Sequence, residues 1–325
     1  MLVTGGAGFI GLHTVRELAR RGFEVLVVDD LRHACGEPLP AGVTLIPFEL
    51  TSPEARGEIT RFRPHRVVHL AAQGGVARSV RDPAGDALAN VVSTAALLRT
   101  CVDVGVQQVV FASSGGAIYG AATRQPTPER APARPLSPYG AAKLACEGYL
   151  GMFSRTHGLR YCALRFGNVY GPHQDGTGEA GLVAISIVRL LACKPPVIFG
   201  DGGQSRDFVY VEDVAAAVLA ALEGDHSGTF NIASGAAESV DRVVNELCRI
   251  AGQQSGPDYQ PGRTGEVRSV QLDVSRALRT LAWGAQTDLK DGLASTWENF
   301  RDRARRPAVA AGQIRPGESH GITSA

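Results

Sequence analysis

Tyr139 and Lys143 stand four residues apart in the stretch Tyr139-Gly140-Ala141-Ala142-Lys143, a spacing that puts a phenol and an ammonium on one face of a helix. A nearby positive charge favours the phenolate, so the pair is expected to draw the tyrosine from its usual value of about 10 toward neutrality, where it serves as a general base. Upstream, Gly5-Gly6-Ala7-Gly8-Phe9-Ile10-Gly11 satisfies the G-x-x-G-x-x-G spacing and, from Gly6, G-x-G-x-x-G. Glycines so placed allow a tight turn, let the backbone approach a pyrophosphate, and let the next helix pack on its strand with its N-terminus facing the phosphates. Asp29 follows Gly11 by 18 residues, at the end of the second apolar run, where a carboxylate accepts from adenosine ribose hydroxyls and repels a 2′-phosphate. NAD is therefore expected over NADP, with Arg32 a solvated loop charge next to Asp29 and Asp30.

The elements that must hold these residues are short apolar runs rich in β-branched residues, predicted as strands at 2–4, 24–28, 44–47, 66–70, 107–112 and 160–165. They alternate with amphipathic stretches such as 10–20, 87–104 and 139–156. Strand and helix repeated in this way predict an α/β, doubly wound Rossmann fold, a parallel sheet covered by helices on both faces. Beyond Asn168 the rhythm loosens into Gly- and Pro-containing loops, with helices expected at 182–192, 211–222, 240–251 and 289–301. The expected division is a dinucleotide unit of 1–167 plus about 205–235 and a smaller interleaved substrate lobe of 168–204 plus 236–300. Residues 301–325 are polar and without periodicity, and read as a mobile tail.

Composition narrows the partner to a small molecule. The chain has 325 residues, 44% hydrophobic and 20% charged, with 33 lysines and arginines against 32 acids, so no overall charge draws it to nucleic acid or a membrane surface. Cys35, Cys101, Cys146, Cys162, Cys193 and Cys248 have no paired spacing of a metal or redox site and read as reduced thiols. No basic-then-apolar signal segment opens the chain, and no apolar run approaches the roughly 20 residues that span a bilayer, so the expected compartment is the cytoplasm.

Taken together, these motifs resemble the extended short-chain dehydrogenase/reductase family and, within it, the bacterial UDP-glucose 4-epimerases. The resemblance runs from Leu2 to about Phe300, through 4–11, His69-Leu70-Ala71-Ala72-Gln73, 113–120, 139–143, 164–172, 178–185, 198–214, 230–235 and 263–267. It implies NAD contacts at Gly5, Gly8, Phe9, Ile10, Gly11, Asp29, Asp30, Glu49, Leu50, Leu70, Ala71, Ala72 and Asn90. Tyr139 is then the base, and Lys143 its partner and a ligand of the nicotinamide ribose. Asn168, Arg206, Arg263 and Glu266 are implied contacts of the nucleotide sugar, and Val270 stands where the family has a gate beside the C2 substituent. Two departures stand out: Glu49-Leu50 replaces the usual Asp-aliphatic pair at the adenine, and Gly115 falls where the catalytic serine or threonine often stands. Ser114 is the candidate for that missing hydroxyl.

Related dehydratases carry an Asp-Glu pair just after the catalytic threonine; here those positions are Gly116 and Ala117, which cannot transfer a proton. The reaction implied is inversion at C4 of a UDP-sugar, UDP-glucose/UDP-galactose or an N-acetylated form, through a transient 4-keto sugar. Three alternatives stand beside it: a UDP-glucuronate 4-epimerase, with Arg189 as a cation for the C6 carboxylate; an NAD-dependent oxidoreductase that releases its keto product; and a non-enzymatic dinucleotide sensor. A homodimer is expected from the apolar positions Leu88, Val91 and Leu97 on one long helix and Leu144, Leu150 and Phe153 on another, which match a four-helix bundle between subunits in relatives.

Overall fold

A computed structural model describes residues 1–177, 181–254, 256–262 and 267–305. In chain order the elements are β1 (Leu2–Thr4), α1 (Phe9–Arg20), β2 (Leu26–Val28), β3 (Thr44–Ile46), α2 (Pro53–Phe62), β4 (Arg66–His69), α3 (Val76–Arg81), α4 (Pro83–Ala87), a π-helical turn (Leu88–Val92), α5 (Ser93–Val104), β5 (Gln108–Ser114) and α6 (Gly115–Ile118). They continue with α7 (Pro138–His157), β6 (Arg160–Phe166), β7 (Asn168–Tyr170), α8 (Leu182–Leu191), β8 (Val197–Phe199), β9 (Ser205–Tyr210), α9 (Val211–Glu223), β10 (Gly228–Ile232), β11 (Ala237–Ser239), α10 (Val240–Ala251), β12 (Asp258–Gln260), α11 (Ser275–Leu281) and α12 (Leu289–Arg305).

Seven parallel strands form the main sheet in the order β10-β6-β5-β4-β1-β2-β3. Strands covered on both faces need apolar residues at every position, and β1, with all three residues buried, shows this pattern. One apolar layer packs Val15, Leu18, Val214, Val218 and Trp283 on one face; the other packs Ile59, Leu98, Leu150 and Phe153 on the opposite face. Strand order reverses between β1 and β4, and in such sheets the crevice outside the carboxyl ends at the reversal is where ligands bind. The glycine-rich turn leaves β1 at this point. A second, three-stranded sheet, β11-β9-β7, and helices α8, α10 and α12 enclose a separate core around Ile187, Ile198, Val244 and Leu293. The boundary expected at 205 cuts across these packings, because β9 pairs with β7 and β11, whereas α9, β10 and α11 pack on the large sheet.

The second strand starts two residues later than its composition predicts, and the fifth runs two residues further, because Ser113 and Ser114 pair with Arg165 and Phe166. The expected helix over 87–104 begins earlier, at Pro83, where Asp82 caps it by accepting from Gly85 N at 2.9 Å, and it passes through the π turn. Pro83–Val104 thus forms one run of 22 residues whose length and composition also suit a membrane span, unlike the absence of such a run expected from the sequence. Its buried Leu97, Leu98 and Cys101 pack into the sheet's core, and it carries the buried polar residues Asp86 and Asn90, as a core helix does.

Candidate active site

The glycine-rich turn is tight for a reason visible atom by atom. Gly5 has φ +71°, and a Cβ there would lie 2.6 Å from Ala71 N; at Gly11 a Cβ would lie 2.0 Å from Gly5 O. Gly8 is different: its nearest neighbour would be 3.4 Å away, which leaves open the face that leads into the first turn of α1. Asp29, 8% exposed, accepts from Ala7 N at 2.9 Å and from Leu31 N at 2.8 Å, so its carboxylate sits against the turn with lone pairs to spare. A backbone cradle that excludes side chains, a helix N-terminus beyond it and a fixed carboxylate on the neighbouring strand fit a dinucleotide. Arg32 lies between two acids, donating to Asp30 at 2.7 Å and to Glu49 at 2.8 Å, an arrangement that leaves it poorly placed for a 2′-phosphate. The same contact turns Glu49 toward Arg32, so an adenine bond from its carboxylate would have to share that pairing.

Leu70 and Ala71 follow β4 and are held by Thr4, whose carbonyl accepts from Leu70 N at 3.0 Å and whose hydroxyl accepts from Ala71 N at 3.3 Å. Beneath them His69 bridges Thr4 and Thr94, and burial keeps it neutral by lowering its pKa to about 3. Asn90, expected as a direct cofactor contact, spends its amide inside the protein. Its oxygen accepts from Gln73 N at 2.9 Å, and its nitrogen donates to Gln73 O at 3.2 Å and to Asp86 at 3.0 Å. Its geometry is that of a clamp on the loop after β4.

The catalytic pair rises from α7. Ser137 caps the helix by accepting from Gly140 N at 3.1 Å, Pro138 occupies its first turn, and Gly140 packs so closely that a Cβ would lie 2.5 Å from Ala117 O. Tyr139 is thereby brought to the end of β5, near enough to Ser114 for that hydroxyl to favour its phenolate. Lys143 is 3% exposed, donates to Ala112 O at 2.8 Å, and lies 4.8 Å from the centre of the Phe111 ring and 5.7 Å from that of Tyr139. Burial lowers the Lys143 pKa to about 8. Burial, with the charge of Asp86 added to it, pushes Tyr139 up to about 12, against the lowering expected from the lysine. Desolvation sets the direction, and the influence opposing it is the Ser114 hydroxyl rather than the lysine charge.

Gly115 does not look into this site. A Cβ on it would lie 2.5 Å from Leu272 Cδ1 and 3.3 Å from Arg165 O, whereas one on Gly116 would lie 3.7 Å from Asn168 Oδ1. Asn168, opening β7, therefore sits across from Gly116. Arg206, on β9, donates to Ser205 O at 2.8 Å, while the next residue, Asp207, turns to the other side and is held by Ser234, Gly235 and Leu272. Val270, 8% exposed, packs with Tyr119, Ala233 and Leu272. Arg263 and Glu266 lie outside the described residues. Arg189 donates to Pro195 O at 2.7 Å and so closes the turn after its own helix.

Behind the site lies a buried network that sequence reading did not single out. Glu147 accepts from Ser113 at 2.6 Å and from Arg165 at 2.9 and 2.6 Å, while Arg165 also donates to the Tyr119 hydroxyl at 2.8 Å, which donates to Asn231 at 2.8 Å. Its signal was available in part: Tyr139, Lys143 and Glu147 recur every four residues on one helix. Asp86 is the other omission, an acid 1% exposed.

The chain belongs to the NAD dependent epimerase/dehydratase family, whose pattern matches residues 1–233. It is 39% identical over 310 residues to a UDP-glucose 4-epimerase of Mycolicibacterium smegmatis, covering 94% of this chain and 99% of the relative. A UDP-glucose 4-epimerase of Thermotoga maritima solved with UDP-glucose superposes with a TM-score of 0.91 at 44% identity, covering 93% of this chain and 99% of that one. The Thermus thermophilus UDP-glucose 4-epimerase in complex with NAD gives 0.87 at 39% identity, covering 92% and 98%.

Proposed function

We propose that the chain interconverts UDP-glucose and UDP-galactose by inverting C4, with NAD as a recycled cofactor. The observation that carries this reading is the proximity of Ser114 to Tyr139 above Lys143, at the reversal point of the sheet, beside Gly116 and Ala117 rather than an acid pair. NAD, when bound, accepts a hydride from C4 and returns it. The protein's part is to move one proton and hold the rest. Tyr139, as phenolate, takes the C4 hydroxyl proton; the Ser114 hydroxyl bonds the C4 oxygen and passes charge toward the phenol; Lys143 holds that charge and a ribose hydroxyl. For inversion the sugar must present its other face while the diphosphate stays fixed, a role proposed for Asn168, Arg206, Arg263 and Glu266, with guanidinium forks suited to phosphate oxygens. Gly116 and Ala117 leave the turning hexose a smooth wall. Val270 is small enough to admit a C2 N-acetyl group, so UDP-N-acetylglucosamine is a second substrate. A C6 carboxylate calls for a cation, and Arg189 is committed to its own turn. The test is incubation of the NAD-loaded protein with UDP-glucose, UDP-N-acetylglucosamine and UDP-glucuronate separately, followed by NMR. Appearance of the C4 epimer of the first is the expected result, and a released keto sugar would refute the reading.

The enzyme is proposed to act as a homodimer in the cytoplasm, the latter supported by six unpaired cysteines. Leu97, Leu150 and Phe153, counted toward the interface from sequence, are consumed by the chain's own core. The apolar residues exposed on helices α3 and α7 and the π turn are instead Val76, Val80, Leu88, Val92 and Tyr149, each at least 39% exposed. Leu88→Glu with Val92→Glu is expected to convert the dimer to a monomer in sedimentation at micromolar concentration while leaving the melting of the monomer unit unchanged. An unaltered dimer would place the interface elsewhere.

A further inference from the structure

The loop after β2 is fastened at both ends. On its inner side it is stitched to the glycine-rich turn, through Asp29 to Ala7 N at 2.9 Å and through Cys35 N to Ala7 O at 2.9 Å. On its outer side three remote segments converge on it. Arg303, near the end of α12, donates to Cys35 O at 2.9 Å and holds its Nε 3.5 Å from Glu37 Oε1. His173, after β7, places its Nδ1 3.6 Å from the same oxygen, too far for a hydrogen bond, and burial keeps the ring neutral by lowering its pKa to about 4. Arg16 of α1 lies 3.1 Å from His173 Nε2; a guanidinium can only donate, so the imidazole proton sits on Nδ1 and faces Glu37. His173 is itself held by Asn299 of α12, which accepts from its backbone N–H at 3.1 Å. A cavity of about 530 Å³, lined by Phe9, Arg32, Cys35, His173, Phe300 and Arg303, borders this loop, so an outward swing meets little packed matter.

We propose that Arg303, with Glu37 and His173, is a positioning group for the cofactor: it latches the 29–37 loop against the glycine-rich turn and thereby sets how long NAD stays bound. The inference rests on the epimerase reading, in which every hydride taken is returned and NAD has no need to leave between turnovers. An enzyme of that kind gains from a loop anchored by a different part of the chain, which a releasing dehydrogenase would need to open in every cycle.

The experiment loads the full chain with NAD, dilutes it into an NAD-consuming enzyme and times release. Arg303→Ala is expected to release NAD about tenfold faster, the change that accompanies loss of one charge-assisted hydrogen bond and one charge contact. Arg303→Lys keeps the charge near Glu37 but loses the fork, and should fall between the two. With NAD and UDP-glucose saturating, turnover should stay within about twofold, since no reacting group has been touched. Arg303 is about one-third exposed, and melting of the NAD-free variant should match wild type; Glu37→Gln provides the same test from the other side of the contact. Wild-type release rates in both variants would overturn the latch, as would a fall in turnover with release unchanged. A wild-type chain that sheds NAD on gel filtration yet epimerises UDP-glucose with added NAD would also overturn it, while leaving the epimerase reading intact.

Discussion

Tyr139→Phe is expected to lower kcat for epimerisation by at least about 10³-fold, near the upper part of the range for a single positioned general base. The substitution removes one oxygen and little contact area, so UDP-sugar affinity should hold within about threefold, and kcat and kcat/KM should fall together, the signature of an interaction made only in the transition state. Titration provides an independent check. In the NAD-free protein burial and Asp86 hold the phenol at about 12, so the difference in phenolate absorbance between wild type and Tyr139→Phe should show one group ionising in that region and none near neutrality. Lys143 helps only while charged, below about 8, and loses that charge as pH rises. NAD, when bound, would add the positive charge of its oxidised nicotinamide to that of Lys143 and so favour the phenolate of Tyr139. A variant retaining more than a tenth of wild-type activity would mean that another base operates.

Local signals in the sequence reached far into this structure, and the limits are equally physical. Glycine spacing at 5–11 was readable because Gly5 and Gly11 answer local demands, a positive φ at Gly5 and contact with Gly5 O at Gly11. Asp29, Tyr139 and Lys143 were readable because strand ends and helical periodicity fix their directions without knowledge of the whole fold. By contrast, the Glu147–Arg165–Tyr119–Asn231 network requires β6 to lie between β5 and β10, a sheet order set by long-range pairing. Asn90 shows the same limit in one residue. Its presence at the site was legible, but its commitment to Gln73 and Asp86 depends on the π turn, and no residue type announces an extra residue per turn. The direction of the Tyr139 shift was misjudged for a related reason. A lysine four residues away is visible in sequence; the depth of burial that sets the direction of the shift is not.

Ser114→Ala is expected to reduce kcat by roughly 10²-fold with little change in KM, because one well-placed donor at a developing charge in a dry site is worth on the order of 2–4 kcal/mol. The resemblance to related epimerases put the hydroxyl one residue further on, at Gly115, and the structure separates the two positions. Ser114 ends β5 opposite Phe166 and lies on the side of the phenol, whose ionised form it favours. Gly115 starts the short helix beyond it, and the direction a Cβ would take there points at Leu272 Cδ1 and Arg165 O. A Cβ at 115 would meet Leu272 Cδ1 at 2.5 Å, so a side chain there requires Leu272 to shift. The double variant Ser114→Ala with Gly115→Ser should therefore remain as slow as Ser114→Ala alone, and its melting temperature should drop as Leu272 is displaced. Recovery to within about tenfold of wild type in the double variant would show that a hydroxyl at 115 can serve the phenol. In that event the end of β5 would follow the path usual in relatives and the assignment of Ser114 would fall.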